Sequence, residues 1–330
     1  MQLDAFPGSF AFVMETSQRP IGSGYGEHTT AREIAAAADL TGKRVVITGG
    51  YAGLGLATTR VLAERGAEII AGARDVTKAA KNLAGIPRVT VRPLDLADAA
   101  SIDRFAADVL ASAPAIDLLI NNAGIMATPL MRDARGYEMQ LATNHLGHFQ
   151  LTNRLLPALE RRGARVVTLT SAGHRFSGVD FDDPNFLSRP YDKWKAYGQS
   201  KSANSLFAVE LDARVKDRGV RAFAVHPGRI LSTELVRHIS TQDLIAAGIR
   251  RPDGSLEQSS TKTIDEGAAT TVWCALSPNL ANLGGVYCAD CDISPIVPDD
   301  STSLTGVRRW AIDKTVAERL WELSERLLRA

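Results

Sequence analysis

The sequence predicts an α/β fold, a doubly wound and mostly parallel sheet with helices on both faces. Two observations predict it. Seven short stretches are predominantly apolar and rich in β-branched residues: Val45–Thr48, Ile69–Ala73, Val89–Leu94, Ile116–Ile120, Val166–Thr170, Val220–Val225 and Gly285–Cys288. Such runs suit strands buried on both faces. Between them lie amphipathic stretches such as Leu54–Arg65 and Ala99–Ser112. Strand–helix alternation of this kind implies parallel pairing through helical crossovers.

Taken in order, residues 1–40 read as an N-terminal extension. Pro20, Gly22, Gly24 and Gly26 break any periodicity there, and Glu33–Leu40 can form one short helix. Thr41-Gly42-Lys43 is a turn, and the regular pattern starts at Arg44. Residues 41–330 then form one domain, with no linker or repeat inside it. Residues 229–262 lack a clear strand and read as an inserted helical lid, with Leu235, Val236, Ile239, Leu244, Ile245 and Ile249 as its apolar positions. Trp310, Leu320, Trp321, Leu323 and Leu327 mark a closing C-terminal helix packed on the core.

Composition narrows the function. Lys and Arg number 38 and Asp and Glu 37, for a net charge of +1, so neither nucleic acid nor an anionic membrane is an expected partner. Three cysteines in 330 residues exclude a disulfide scaffold and fit a reducing compartment. No apolar run approaches the ~18 residues of a membrane span. The apolar patch Phe10–Met14 has no basic flank or cleavage site of a secretory signal. A cytoplasmic protein is expected, with the choice between monomer and homo-oligomer left open.

The first strand runs into Thr48-Gly49-Gly50-Tyr51-Ala52-Gly53-Leu54-Gly55, where a helix opens. Gly49, Gly53 and Gly55 permit a tight turn, close backbone approach to a pyrophosphate, and close helix–sheet packing. The helix start presents free N–H groups to the phosphates. At the end of the second strand, an acidic residue would bind the adenosine ribose of NAD(H). That position is Ala73, and Arg74 follows. A guanidinium fork suits a 2′-phosphate, so NADP(H) is the expected cofactor, with NAD(H) the less favoured. Asp75 reads as the cap of the next helix.

Further signals follow in one order: Asn121-Asn122-Ala123-Gly124, Asn144, Ser171, Tyr197-Gly198-Gln199-Ser200-Lys201 and Pro227-Gly228. Together with the glycine loop, they resemble the short-chain dehydrogenase/reductase family over about residues 41–290. Asn144-His145-Leu146-Gly147-His148-Phe149 is similar to the retinol dehydrogenase, WW-domain oxidoreductase and protochlorophyllide reductase-like subgroup. The resemblance implies a Rossmann-type domain with a seven-stranded sheet, and it implies roles. Tyr51 and Leu54 of the loop, Asn122, Ala123 and Gly124 would line the cofactor, and Asn121 would stabilise the sheet. Asp95 and Leu96 would meet the adenine. Pro227, Gly228 and Ile230 would meet the nicotinamide. Ser232 holds the place of the family's threonine, with Thr233 next to it.

Tyr197 and Lys201 are four residues apart, on one face of a predicted helix. A free phenol, with a pKa of about 10, is too weak a base near neutrality, and a neighbouring ammonium favours the phenolate. By resemblance, Tyr197 is the general acid or base and Ser171 orients the substrate oxygen. Lys201 holds the ribose, and Asn144 anchors a water-mediated proton path. The 26 residues from Ser171 to Tyr197 form a long loop that either walls the substrate site or is a plain surface insertion. His145 and His148 lack a third metal ligand, and Cys288-Ala289-Asp290-Cys291 lacks a second pair, so no metal site is expected. The expected activity is hydride transfer between NADP(H) and a carbonyl or alcohol of an apolar small molecule. The alternatives are a C=C reductase and a non-catalytic NADP-binding protein of the same fold.

Overall fold

A computed structural model describes residues 17–235, 239–246, 251, 253, 255, 261–301, 303 and 305–329. The patch Phe10–Met14 and the lid positions Val236 and Ile249 lie outside the described residues. The strands are β1 Arg44–Thr48, β2 Glu68–Ala73, β3 Val89–Pro93, β4 Leu118–Asn121, β5 Arg165–Leu169, β6 Arg221–His226, β7 Val286–Ala289, β8 Asp292–Ile293, β9 Ile296–Val297 and β10 Val307–Arg308. The helices are α1 Ala31–Ile34, α2 Gly53–Glu64, α3 Val76–Leu83, α4 Ala99–Ser112, α5 Met139–Leu141, α6 Gly147–Glu160, α7 Lys193–Val215, α8 Thr241–Ala246, α9 Ile264–Leu276 and α10 Lys314–Arg329. No described helix is long and apolar enough to cross a membrane.

The main sheet has the order β3-β2-β1-β4-β5-β6-β7-β8. The pairs from β3 through β7 are parallel, and β7–β8 is antiparallel. Side chains alternate between two cores, as strand geometry requires. Val45, Ile47, Leu118, Ile120, Val167 and Phe223 face one core with Leu62 of α2 and Trp273 of α9. Val46, Leu119, Val166 and Ala222 face the other, with Phe105 of α4, Phe149 of α6, Phe207 of α7 and Trp321 of α10. Both faces are therefore covered, which explains the unbroken apolar runs. The order reverses between β1 and β4, and the crevice outside those strand ends is where ligands bind in such sheets.

The sheet has one strand more than the seven expected. β8 returns through a two-residue hairpin in which Asp290 and Cys291 both have positive φ (51° and 60°). That turn usually takes Asn or Gly, so Asp290-Cys291 carries no hairpin signal. The short helix of the N-terminal segment is Ala31–Ile34, earlier than expected, because Thr30 and Glu33 form a capping box. Asp75 does cap α3, accepting from Lys78 N at 2.9 Å.

The segment before α1 is bonded to the sheet. Buried Gln18 donates to the carbonyls of Tyr287 (2.8 Å) and Ser294 (2.6 Å) and accepts from Tyr287 N (2.8 Å). The Asp292 carboxylate accepts from the consecutive N–H groups of Ile21, Gly22 and Ser23. Ala31 and Ala35 pack with Val61 of α2 and Ala268 and Val272 of α9.

Candidate active site

At the end of β1 the chain turns through Gly49 (φ 65°) into α2. A Cβ on Gly55 would stand 2.3 Å from the Gly49 carbonyl oxygen and 2.6 Å from Asn122 Nδ2, so only glycine fits. Gly50, which was not singled out in the sequence, is a packing glycine, since its Cβ would lie 2.7 Å from Ile47 and from Thr59. The N-cap of α2, Ala52, has no capping side chain, which leaves the first N–H groups of the helix to a ligand. Gly49, Tyr51, Gly53, Leu54 and Gly55 line one end of a cavity of about 840 Å³. Asn122, Ala123 and Gly124 line it from the end of β4. This cradle fits the pyrophosphate half of a dinucleotide.

The same cavity is lined by Ser171, Tyr197 and Lys201. Ser171 ends β5 and caps a 3₁₀ turn, Ala172–Phe176, with Oγ accepting from Gly173 N at 3.0 Å. Tyr197 and Lys201 share one face of α7, with Nζ 5.8 Å from the phenol ring centroid. Lys201 Nζ donates to the Leu169 carbonyl at 3.0 Å, which ties the helix to the end of β5. Burial pushes the Tyr197 phenol up to about 12, and a hydrogen bond with Ser171 only partly offsets this. Burial pushes Lys201 down to about 8. In the fold itself, burial therefore outweighs the ammonium, the reverse of the direction that the helix spacing suggests.

Asn144 sits in a π-helical turn, Ala142–Leu146, between α5 and α6. Its side chain bonds both the N–H and the carbonyl of Ile125, at 2.9 Å each, and Ser200 Oγ at 2.9 Å. Its main-chain carbonyl is held by His148 Nδ1 at 2.9 Å. The tautomer follows from the neighbours. Thr48 Oγ1 accepts from both Asn122 N and Ala123 N at 3.0 Å, so its proton goes to His148 Nε2 at 2.9 Å. His148 thus carries its proton on Nδ1, and burial pushes its pKa down to about 4. Sequence reasoning missed this link between the glycine loop and the π turn. His145 instead bonds Ser324 of α10, so the two histidines serve different contacts. Asn121 Nδ2 bonds Thr152 and Thr168 across the sheet.

His174 acts in the same way behind Ser171. Arg308 N donates to its Nε2 at 3.1 Å, so Nδ1–H donates to the Ser171 carbonyl at 2.8 Å. His226 Nδ1 accepts from Ala172 N (3.3 Å) and Gly228 N (3.4 Å). Three neutral imidazoles, those of His148 and His174 buried and that of His226 partly so, thus fix the backbone around the site.

Pro227, Gly228 and Ile230 line the cavity. Ser232 does not. It is exposed, whereas Thr233 lines the cavity, with its Cβ and methyl group towards Gly53. Arg74, Asp95 and Leu96 lie outside the cavity lining. Arg74 is exposed, the Asp95 carboxylate accepts from Ala97 N, and Leu96 is buried against Gly147. Leu235 and Ile239 of the lid line the cavity, and so do Pro20, Glu27 and His28 of the N-terminal segment. Residues 177–193 of the long loop do not line it, although Phe176 and Trp194 at its ends do. Within the loop, Asp183 accepts from the N–H groups of Leu187, Ser188 and Arg189. Cys274, Cys288 and Cys291 are free and buried.

Residues 43–244 match the family model for short chain dehydrogenase. The chain belongs to the short-chain dehydrogenase/reductase family. Within it, the chain falls in the retinol dehydrogenase-like group. It is 40% identical to human retinol dehydrogenase 12, over 86% of this chain and 89% of that protein. It is 43% identical to a "Probable oxidoreductase" of Streptomyces lividans, over 86% and 97% of the two chains. It is 37% identical to the short-chain dehydrogenase TIC 32 A, chloroplastic, of Brassica napus, over 93% and 95%. Among solved structures, an uncharacterised Mycobacterium paratuberculosis protein matches with TM-score 0.70 and 36% identity, covering 90% of this chain and 97% of that one. The Pseudomonas aeruginosa RhlG/NADP active-site complex matches with TM-score 0.59 and 25% identity, covering 76% and 95%. The chain is an oxidoreductase of this family, and the family and fold point to a nicotinamide cofactor.

Proposed function

We propose that this oxidoreductase is an NADP(H)-dependent carbonyl reductase or alcohol dehydrogenase acting on an apolar small molecule in the cytoplasm. The observation that carries the reading is the convergence of Ser171, Tyr197 and Lys201 on the cavity that the glycine cradle opens. When bound, the cofactor supplies or accepts the hydride. Gly49, Gly53 and Gly55 and the uncapped start of α2 would hold its pyrophosphate. Arg74, next to the end of β2, would take the 2′-phosphate. The likeness to the RhlG/NADP active-site complex supports NADP as the cofactor type.

The protein's own residues then handle the proton. With its phenol pushed up to about 12, Tyr197 holds its proton at Oη near neutral pH. The site is therefore set to act as an acid in carbonyl reduction. As the carbonyl carbon gains the hydride, its oxygen takes the Tyr197 proton and leaves as an alcohol. Ser171 Oγ orients that oxygen and stabilises the charge developing on it. Lys201 stabilises the resulting phenolate, which regains its proton from solvent past Lys201, with Asn144 buried behind it as the anchor of that path. In the oxidation direction the proton runs the other way. Leu235, Ile239, Phe176 and Trp194 give the cavity the apolar walls that an apolar substrate needs.

The test is a panel of aldehydes, ketones and secondary alcohols assayed with NADPH and NADH side by side. Reduction of carbonyls with a preference for NADPH is expected. Turnover of none of them, with NADPH bound, would overturn the reading in favour of a non-catalytic protein.

A further inference from the structure

Among the described residues, Arg175 in the cavity lining pairs with no carboxylate. Arg175 lies on the 3₁₀ turn four residues after Ser171 and lines the cavity. Its Nη1 is closed off from solvent and has no hydrogen-bond partner among the described residues. The cations Arg229 and Arg308 act on it with like charge, the Tyr287 phenol opposes them, and no described carboxylate pairs with it. The four carboxylates in the lining are engaged elsewhere. Asp290 pairs with Lys262, and Asp292 receives three backbone N–H groups. Glu27 pairs with His28, and Glu234 with Lys78. The guanidinium otherwise rests on the ring of Phe176, 5.0 Å from its centroid.

A half-buried guanidinium with an unmet donor is costly unless an anion completes it. Its planar fork matches a carboxylate. We infer that Arg175 is a specificity-determining residue and that the substrate is a carbonyl compound whose apolar body carries a carboxylate. The apolar part lies along Phe176 and Trp194 with the reacting carbonyl at Ser171 and Tyr197, and the carboxylate meets Arg175. This rests on the reading of the cavity as a substrate site, so the test measures binding separately from turnover.

The probes are para-carboxybenzaldehyde and its methyl ester, together with a long-chain aldehyde acid and its methyl ester. Each is titrated by tryptophan fluorescence into the full chain saturated with NADP⁺, where no reduction can occur. In the wild type, each acid should bind at least about tenfold more tightly than its ester, the worth of a charged hydrogen bond. R175M should abolish that preference while leaving ester and NADPH affinity unchanged. R175K, which keeps the charge but not the fork, should retain part of it and serves if R175M does not fold. An acid-to-ester ratio near one in both wild-type pairs, or a ratio that neither variant changes, would overturn the inference and leave Arg175 holding solvent only. If the acids bind preferentially but are not reduced by NADPH, the carboxylate site stands and the hydride-transfer reading falls.

Discussion

Gly173 gives the sharpest handle on the geometry of the site. It is buried in the 3₁₀ turn after Ser171, with one edge of the Tyr197 ring close to it. A Cβ there would stand 2.6 Å from Tyr197 Cε1 and 2.9 Å from Cδ1, where ordinary contact begins at 3.4 Å. Gly173→Ala therefore requires a displacement of about 0.8 Å at the phenol. The helix cannot supply it by sliding along the turn. Gly198, next to Tyr197, is already so close that its own Cβ would lie 2.8 Å from Phe176 Cβ and Ser177 N. The ring must move instead, and with it the Tyr197 hydroxyl. A misplacement near 1 Å costs on the order of 10²-fold in rate, or about 2.7 kcal/mol of barrier. Overpacking should also lower stability by about 1–3 kcal/mol. The assay is kcat for the best carbonyl substrate at saturating NADPH, well below the melting temperature, with NADPH affinity measured in parallel. The variant should bind NADPH normally and turn over on the order of 10²-fold more slowly. A kcat within about threefold of wild type would refute the placement of the Tyr197 ring, since so small a loss does not fit a shift of this size.

Three further outcomes follow from the same structure. Arg74→Ala should weaken NADPH by about 1.5–3 kcal/mol and NADH much less, the worth of hydrogen bonds to a charged group; equal loss for both cofactors in paired titrations would remove Arg74 from the cofactor site. Buried His145, His148 and His174 and partly buried His226 have pKa values pushed down from 6.5 to about 3, 4, 4 and 3. The native state thus binds fewer protons than the unfolded one, so stability is intact above about pH 6.5 and is lost as pH falls towards these values, by up to about 5 kcal/mol per pH unit for four protons. Denaturant midpoints compared between about pH 7 and pH 5 check this, and a flat profile would contradict the burial of these imidazoles. A chain starting at Asp39 should lose stability and bind substrate more weakly while keeping NADPH affinity, because Gln18 bonds the segment to the sheet and Pro20 and His28 line the cavity; unchanged melting temperature and KM would show that the segment is dispensable.

The sheet and the cofactor loop were legible because both are local. An apolar run buried on both faces reads the same wherever it lies in the chain, and Thr48–Gly55 carries its turn, glycines and helix start in eight consecutive residues. Tyr197 and Lys201 were legible because helical spacing alone puts them side by side. What could not be read depends on partners far apart in the chain. The His148 relay joins β1 to a π turn 100 residues away, and a π turn has no simple periodicity. The β7–β8 hairpin uses Asp290 and Cys291 at positive φ, where composition gives no warning. Thr233 rather than Ser232 lines the cavity because the chain's path over Gly53, not the spacing from Pro227, decides which residue faces inward. Gln18 gave no signal because its partners, Tyr287 and Ser294, are more than 260 residues away. The burial that raises the Tyr197 phenol is likewise a property of the packed site. The capping box Thr30-Ala31-Arg32-Glu33, by contrast, was present in the sequence and would have located α1.

The central claim is that Tyr197 moves the proton in a site where Lys201 supports it. It is tested most directly by measuring steady-state turnover and NADPH binding by fluorescence on Tyr197→Phe, with Lys201→Ala alongside. Phenylalanine keeps the ring against Gly173 and removes only the hydroxyl. Turnover should fall by at least about 10²-fold, the lower end of what a general acid supplies, with NADPH affinity unchanged. Lys201→Ala should lose turnover and NADPH affinity together. Retention of more than about a tenth of wild-type activity by Tyr197→Phe would mean that another group supplies the proton, and would contradict the account.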